Sequence, residues 1–151
     1  MGVIYVPVKE DLYFALEGVG SYKKSSFIET IENIDELILK SISLPIVTER
    51  DSYIVVGSRS HMSKETEEFF NQKKQKHGNV EIMAVGSSLK LCMIAEGKAD
   101  AYPRYAPTME WDTGAGDAIC RMAGFKVLQY NSEIPVEYNK EDLLNPWFLV
   151  K

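Results

Sequence analysis

Histidine and cysteine are scarce, with two of each in 151 residues. His61, His77, Cys92 and Cys120 stand too far apart to make a compact zinc pattern. Each cysteine lies among apolar residues at helical spacing, where a thiol packs as a small hydrophobe, and a reducing cytoplasm is the simple inference. No apolar run reaches the length of a membrane span, and residues 1–9 lack the basic start and apolar core of a secretory signal, so a soluble, unexported protein is expected. An excess of basic charge is also missing: 17 Lys and Arg face 22 Asp and Glu, for a net charge of -5. That balance argues against nucleic acid as a partner, because phosphate-backbone binding needs a broad basic surface. It leaves a small phosphorylated ligand open, since a metal ion or two well-placed cations reverse the potential locally. There is no G-x-S-x-G elbow, and neither Gly18-x-Gly20 nor Gly114-x-Gly116 carries the rest of a dinucleotide or P-loop signature.

What is present fits one domain over residues 1–151, with 45% apolar and 26% charged residues. Residues 2–8 and 11–17 read as two strands of a hairpin. The stretch 21–51 shows no clear period. Residues 53–57 form a short apolar run suited to a strand covered on both faces. A helix follows, with Ser63 as N-cap, glutamates in its first turn, lysines in its last and Gly78 as its stop. Residues 80–85 read as a strand, 88–96 as a helix stopped by Gly97, 99–103 as a strand and 110–123 as a helix stopped by Gly124. In the last helix Trp111, Ala115, Ala118, Ile119 and Met122 recur at spacings of three and four and predict one apolar face. With terminal strands near 127–128 and 147–150, the fold class is α/β, a layered sheet with helices packed on its faces.

Three strand-to-helix junctions and one strand end could carry chemistry. In Trp111-Asp112-Thr113-Gly114-Ala115-Gly116, Ala115 and Gly116 share the helix face of Asp112 and would leave room beside its carboxylate for a metal or phosphate. The plainer reading is a helix-start aspartate favoured by the dipole, and Asp117 reads as a surface ion pair with Arg121. Gly86-Ser87-Ser88-Leu89-Lys90 could hold an anion, or its serines could be simple caps and Lys90 a solvated cation. Ser58-Arg59-Ser60-His61 and Arg104 also follow strands, and ligands of open α/β sheets bind at that edge. Taken singly, His61 and Arg104 read first as surface residues, the commoner place for either.

In this order the segments resemble the C-terminal portion of the inositol monophosphatase superfamily over nearly the whole chain, with Trp111-Asp112-Thr113-Gly114-Ala115-Gly116 similar to its W-D-x-x-A-G signature. The segments holding His61, Ser87, Lys90 and Arg104 look more like the bacterial bisphosphate nucleotidases of that superfamily than its inositol phosphatases. The resemblance implies hydrolysis of 3'-phosphoadenosine 5'-phosphate to AMP and phosphate in sulfur metabolism. Asp112 would be a Mg2+ ligand that also meets substrate, and His61, Ser87, Lys90 and Arg104 would contact the nucleotide. An inositol or fructose phosphatase, or a nucleotide-binding module without hydrolysis, are the alternatives. The family's D-P-L-D-G-T-like metal loop is missing from this chain, so the resemblance implies an absent N-terminal metal-binding half, an inactive polypeptide when isolated, and an uncovered surface favouring self-association. A cytoplasmic location follows, with a peripheral position at the inner face of the membrane left open for the full-length protein.

Overall fold

The computed structural model describes residues 1–28, 30–46, 49–57 and 63–151. The expected hairpin forms: β1 (Gly2–Val6) pairs antiparallel with β2 (Asp11–Leu16), setting Ile4 opposite Tyr13. The stretch without a clear period contributes β3 (Gly20–Lys24), a short helix α1 (Ile34–Leu39) and β4 (Ile42–Ser43), which extend the sheet in the order β1-β2-β3-β4. Its strands are short, and β3 carries Ser21 and Lys23 at its buried positions, where alternation would call for apolar residues, which is why no period shows.

The second layer is built from β5 (Tyr53–Gly57), α2 (Lys64–His77), β6 (Val80–Ala84), α3 (Leu89–Ala95), β7 (Tyr102–Arg104), α4 (Glu110–Met122), β8 (Val127–Gln129) and β9 (Phe148–Val150). β5 and β6 are parallel, and β9 lies antiparallel between β7 and β8. A parallel bridge from Val55 to Ala101 joins the two groups, giving the strand sequence β6-β5-β7-β9-β8. The C-terminal ends of β6, β5 and β7 therefore share one edge. Helix α2 is capped as expected: Ser63 Oγ accepts from Thr66 N–H, and Gly78 ends it at a φ of 74° that only glycine adopts freely.

Helices α3 and α4 pack between the two sheets, and the core runs through Leu91, Ile94, Ile119 and Cys120 to Tyr13, Val56 and Phe148. Both cysteines are free and fully buried. The apolar face expected for α4 is only half right. Ile119 is buried, but Trp111 is 69% exposed and Met122 lies at the surface, while the buried side is Thr113, Gly116, Asp117, Ile119 and Cys120. Small and polar residues fill that side because the neighbours come close. A Cβ on Gly116 would sit 2.3 Å from Leu91 Cδ1, and one on Gly2 would sit 2.4 Å from Ala115 O. The small residues after Asp112 thus admit α3 and β1 rather than leaving space for a ligand. Asp117 does pair with Arg121 at 2.8 Å, but it is buried rather than at the surface. Burial, outweighing that guanidinium, pushes its pKa up to about 6.

Candidate functional site

The start of α4 is held from outside the helix. Asn145, buried, donates to Met109 O at 2.8 Å and to Thr113 Oγ1 at 2.9 Å. Glu110 accepts from the backbone N–H of Asn139 at 2.7 Å and pairs with Lys140. Asp112 occupies the third helical position, and its Oδ2 accepts from Met109 N–H at 2.8 Å, half of a capping box. The plain reading of Asp112 as a helix-start carboxylate is therefore true. Its other oxygen makes no hydrogen bond among the described residues.

That carboxylate lines a cleft of about 460 Å³ together with Ser87, Lys90 and Arg104. Four of the five residues singled out in the sequence thus meet in one concavity at the shared strand edge, and the fifth, His61, lies outside the described residues with the rest of Ser58-Arg59-Ser60-His61. Ser87 sits at a φ of 51°, a left-handed conformation uncommon for a residue with a side chain, at the turn from β6 into α3. Ser88 heads α3 without a side-chain cap hydrogen bond, so the capping reading of these serines fails for it. Lys90 is half-buried, with its ammonium 5.9 Å from the centre of the Tyr102 ring. Burial, and then the charge of Arg104, pull its pKa below the usual lysine range. Arg104 donates to Pro107 O at 3.0 Å, while its Nε is buried with no partner among the described residues.

The cleft thus gathers two cations, neither ion-paired among the described residues, two serine hydroxyls and one carboxylate. A planar guanidinium and a point-charge ammonium in one cleft suit a phosphate; Asp112 alone suits a cation or a sugar hydroxyl. Sequence reasoning missed Tyr102, Thr108 and Trp111 on the same lining. Trp111 was assigned to the buried face by its helical spacing; the signal for its exposure was its place beside Asp112 in the first turn, before α4 enters the core.

Two sheets with helices between them, and a cleft lined by Ser87, Lys90, Arg104 and Asp112 at the strand edge, define an α/β domain with a candidate binding cleft. Residues 1–148 match the inositol monophosphatase family, and the chain belongs to it. It is 35% identical over 151 residues to the 3'(2'),5'-bisphosphate nucleotidase CysQ of Escherichia coli K12, covering 99% of this chain and 54% of that protein. The crystal structure of CysQ from Bacteroides thetaiotaomicron matches at a TM-score of 0.91 with 55% identity, covering 99% of this chain and 56% of that one. Inositol monophosphatase II of Staphylococcus aureus, at 18% identity and a TM-score of 0.68, shares the fold. The chain spans about half the length of the curated relatives it matches.

Proposed function

We propose that this chain is the substrate-side part of a magnesium-dependent 3'(2'),5'-bisphosphate nucleotidase acting on 3'-phosphoadenosine 5'-phosphate, in the cytoplasm and in sulfur metabolism. The observation that carries the reading is the pair Lys90 and Arg104, cations without carboxylate partners among the described residues, facing the same cleft as Ser87 and Asp112. Each is partly withdrawn from water, so an anion that neutralises them recovers much of the cost of placing them there.

In this scheme Lys90 and Arg104 grip the phosphate that is retained, and Ser87 Oγ adds a hydrogen bond. The substrate is thereby oriented with its other phosphate toward Asp112, which turns binding energy into positioning. Water attacks that phosphorus, the ribose oxygen leaves with a proton, and AMP and orthophosphate are the products. Magnesium, when bound, supplies Lewis-acid polarisation and an activated water. This chain offers it one free oxygen of Asp112, and no group of three His, Cys, Asp or Glu stands together among the described residues. A site of several oxygen ligands therefore needs carboxylates from outside the described set. We place them in an upstream half, with the isolated chain binding nucleotide but turning it over poorly.

Two measurements test this. Calorimetry of the chain with 3'-phosphoadenosine 5'-phosphate should give binding that weakens at least about tenfold in Lys90→Ala and in Arg104→Ala, as expected for lost charge-assisted hydrogen bonds. Unchanged affinity in both variants would sink the assignment. Supplying the upstream half of a related nucleotidase should restore phosphate release, and Asp112→Asn, which keeps the cap at Met109, should remove it. Preference for inositol or fructose phosphates in the same assay would redirect the substrate, and tight binding with no turnover after reconstitution would favour a module that only binds.

A further inference from the structure

We propose that the chain has a second anion site, apart from the cleft of Lys90 and Arg104, in which Lys73, Lys76 and Lys151 receive a small multiply charged anion of the di- or polyphosphate kind. The site is a cleft of about 550 Å³ between α2 and the β8–β9 ribbon. Lys73 and Lys76 are three apart on α2 and share a helix face, and Lys151 follows β9. Gln72, Gln129, Asn131 and Ser132 add neutral hydrogen-bonding groups to the lining.

The charges here do not balance. Among the described residues Glu133 is the one acidic side chain of the lining, and it is taken by Lys151 at 3.0 Å with Lys126 nearby. Neither Lys73 nor Lys76 has a carboxylate within ion-pair distance among the described residues. Three lysines against one glutamate leave a local charge of +2 in a chain whose net charge is -5. Lys73 is partly buried, with its ammonium 5.1 Å from the Phe69 ring centre and 5.4 Å from that of Tyr53. Burial, and after it the charges of Lys76 and Lys151, draw its pKa below the usual lysine range.

Phe69, Tyr105 and Leu149 form a low-dielectric floor beneath them, which strengthens the attraction for a guest of opposite sign. The cleft is roomier than one orthophosphate requires and lies within the usual range of small-ligand pockets, roughly 300–1,000 Å³. A guest with two or more negative charges matches the local excess; a monoanion leaves it half satisfied. The site is distinct from the first but adjoins it through the chain, since Arg104 lines one cleft and Tyr105 the other. The inference does not depend on the nucleotidase reading.

The probe is pyrophosphate, titrated into the 151-residue chain and followed by amide shifts in two-dimensional NMR. Saturable shifts are expected at Gln72, Lys73, Lys76, Asn131 and Ser132, and they should persist in Lys90→Ala. Lys73→Gln combined with Lys76→Gln should weaken this phase at least about tenfold. Lys76→Glu, at an exposed position, should do the same, and Glu133→Gln should tighten binding several-fold by releasing Lys151. Shifts confined to the surroundings of Ser87, Lys90 and Arg104, or equal affinity in wild type and Lys76→Glu, would overturn the proposal.

Discussion

Two groups of charges in this molecule are both withdrawn from water, and they are built on opposite principles. Around Glu96, which is 1% exposed, every charge has its counterpart: Lys98 at 2.8 Å, Lys23 at 3.3 Å, the Tyr13 hydroxyl donating, and Lys23 in turn on Asp11 at 2.9 Å. In the cleft at the strand edge, Lys90 and Arg104 lie beside each other with no acid on either among the described residues. The first arrangement locks the end of α3 to the β1–β4 sheet and is complete without any ligand. The second has no acid of its own among the described residues, and in the proposed function a phosphate supplies the missing negative charge. Balance marks structure, and imbalance marks a place for a guest.

The largest expected effect lies in the balanced group. Glu96→Ala leaves the Tyr13 hydroxyl and a buried Lys23 short of a partner, and we expect a loss of about 3–5 kcal/mol, read as a lowered midpoint in denaturant. A loss below about 1 kcal/mol would erase the contrast between the two groups. The pH dependence has a definite sign. Burial pushes Glu96 up, but the hydrogen bonds from Lys98 and Tyr13 and the charge of Lys23 outweigh it and hold its pKa below 4.5. Its stabilisation is therefore present above 4.5 and fades as pH falls through the depressed value. Lys23 has the opposite sense: burial opposes its charge, the bond and charge of Asp11 and the charge of Glu96 prevail, and its pKa lies above 10.5. Its contribution is full below 10.5 and is lost as pH rises through the raised value.

Asp117 sharpens the comparison from within the core. Its partner Arg121 does not offset burial, and its pKa of about 6 against 3.8 means that the folded state holds a proton there which the unfolded chain has released. Between those values stability falls as pH rises, and above about 6 the ionised group costs on the order of 3 kcal/mol. Asp117→Asn keeps an acceptor for Arg121 without the charge. Its stability relative to wild type should therefore climb across pH 4 to 7 in paired thermal melts; a difference independent of pH would show that Asp117 titrates normally.

Next in size is Gly116→Ala. The added methyl meets Leu91 at 2.3 Å, on a face where α3 and α4 are in close contact, so overpacking should cost about 1–3 kcal/mol. Loss of phosphate binding without loss of stability in that variant would instead return Gly116 to the ligand-space role first read from its position.

These same residues show what a sequence discloses and what it withholds. Caps, stops and strand-to-helix junctions are local, so Ser63, Gly78, the turn at Ser87 and the helix start at Asp112 could be read directly. Convergence of Ser87, Lys90, Arg104 and Asp112 could be anticipated because they follow strand ends, and strands ending on one edge bring their loops together. Burial of α4 could not, because Asp117 and Gly116 face inward for reasons supplied by Leu91 and Tyr138, far away in sequence. Nor could the strand β3, where Lys23 is buried between Asp11 and Glu96, the second of them seventy-three residues onward. The lysine cleft at Lys73 likewise needed β8 and β9 to be set beside α2.

The smallest stability effect is the most telling. Lys90→Met removes an ammonium that burial and Arg104 already disfavour and keeps the stem that packs by Tyr102. Because the folded pKa of Lys90 lies below 10.5, the unliganded wild type gains stability as pH rises through that lowered value toward 10.5, and this slope should flatten in the variant. At neutral pH the variant should melt within about 0.5 kcal/mol of wild type, or slightly above it, while its affinity for a phosphorylated ligand falls at least about tenfold. A charge that costs the fold little to lose and the ligand much is one kept for binding. Were Lys90→Met to destabilise the chain as Glu96→Ala does, Lys90 would belong with the balanced group, and the cleft would lose its claim to a phosphate.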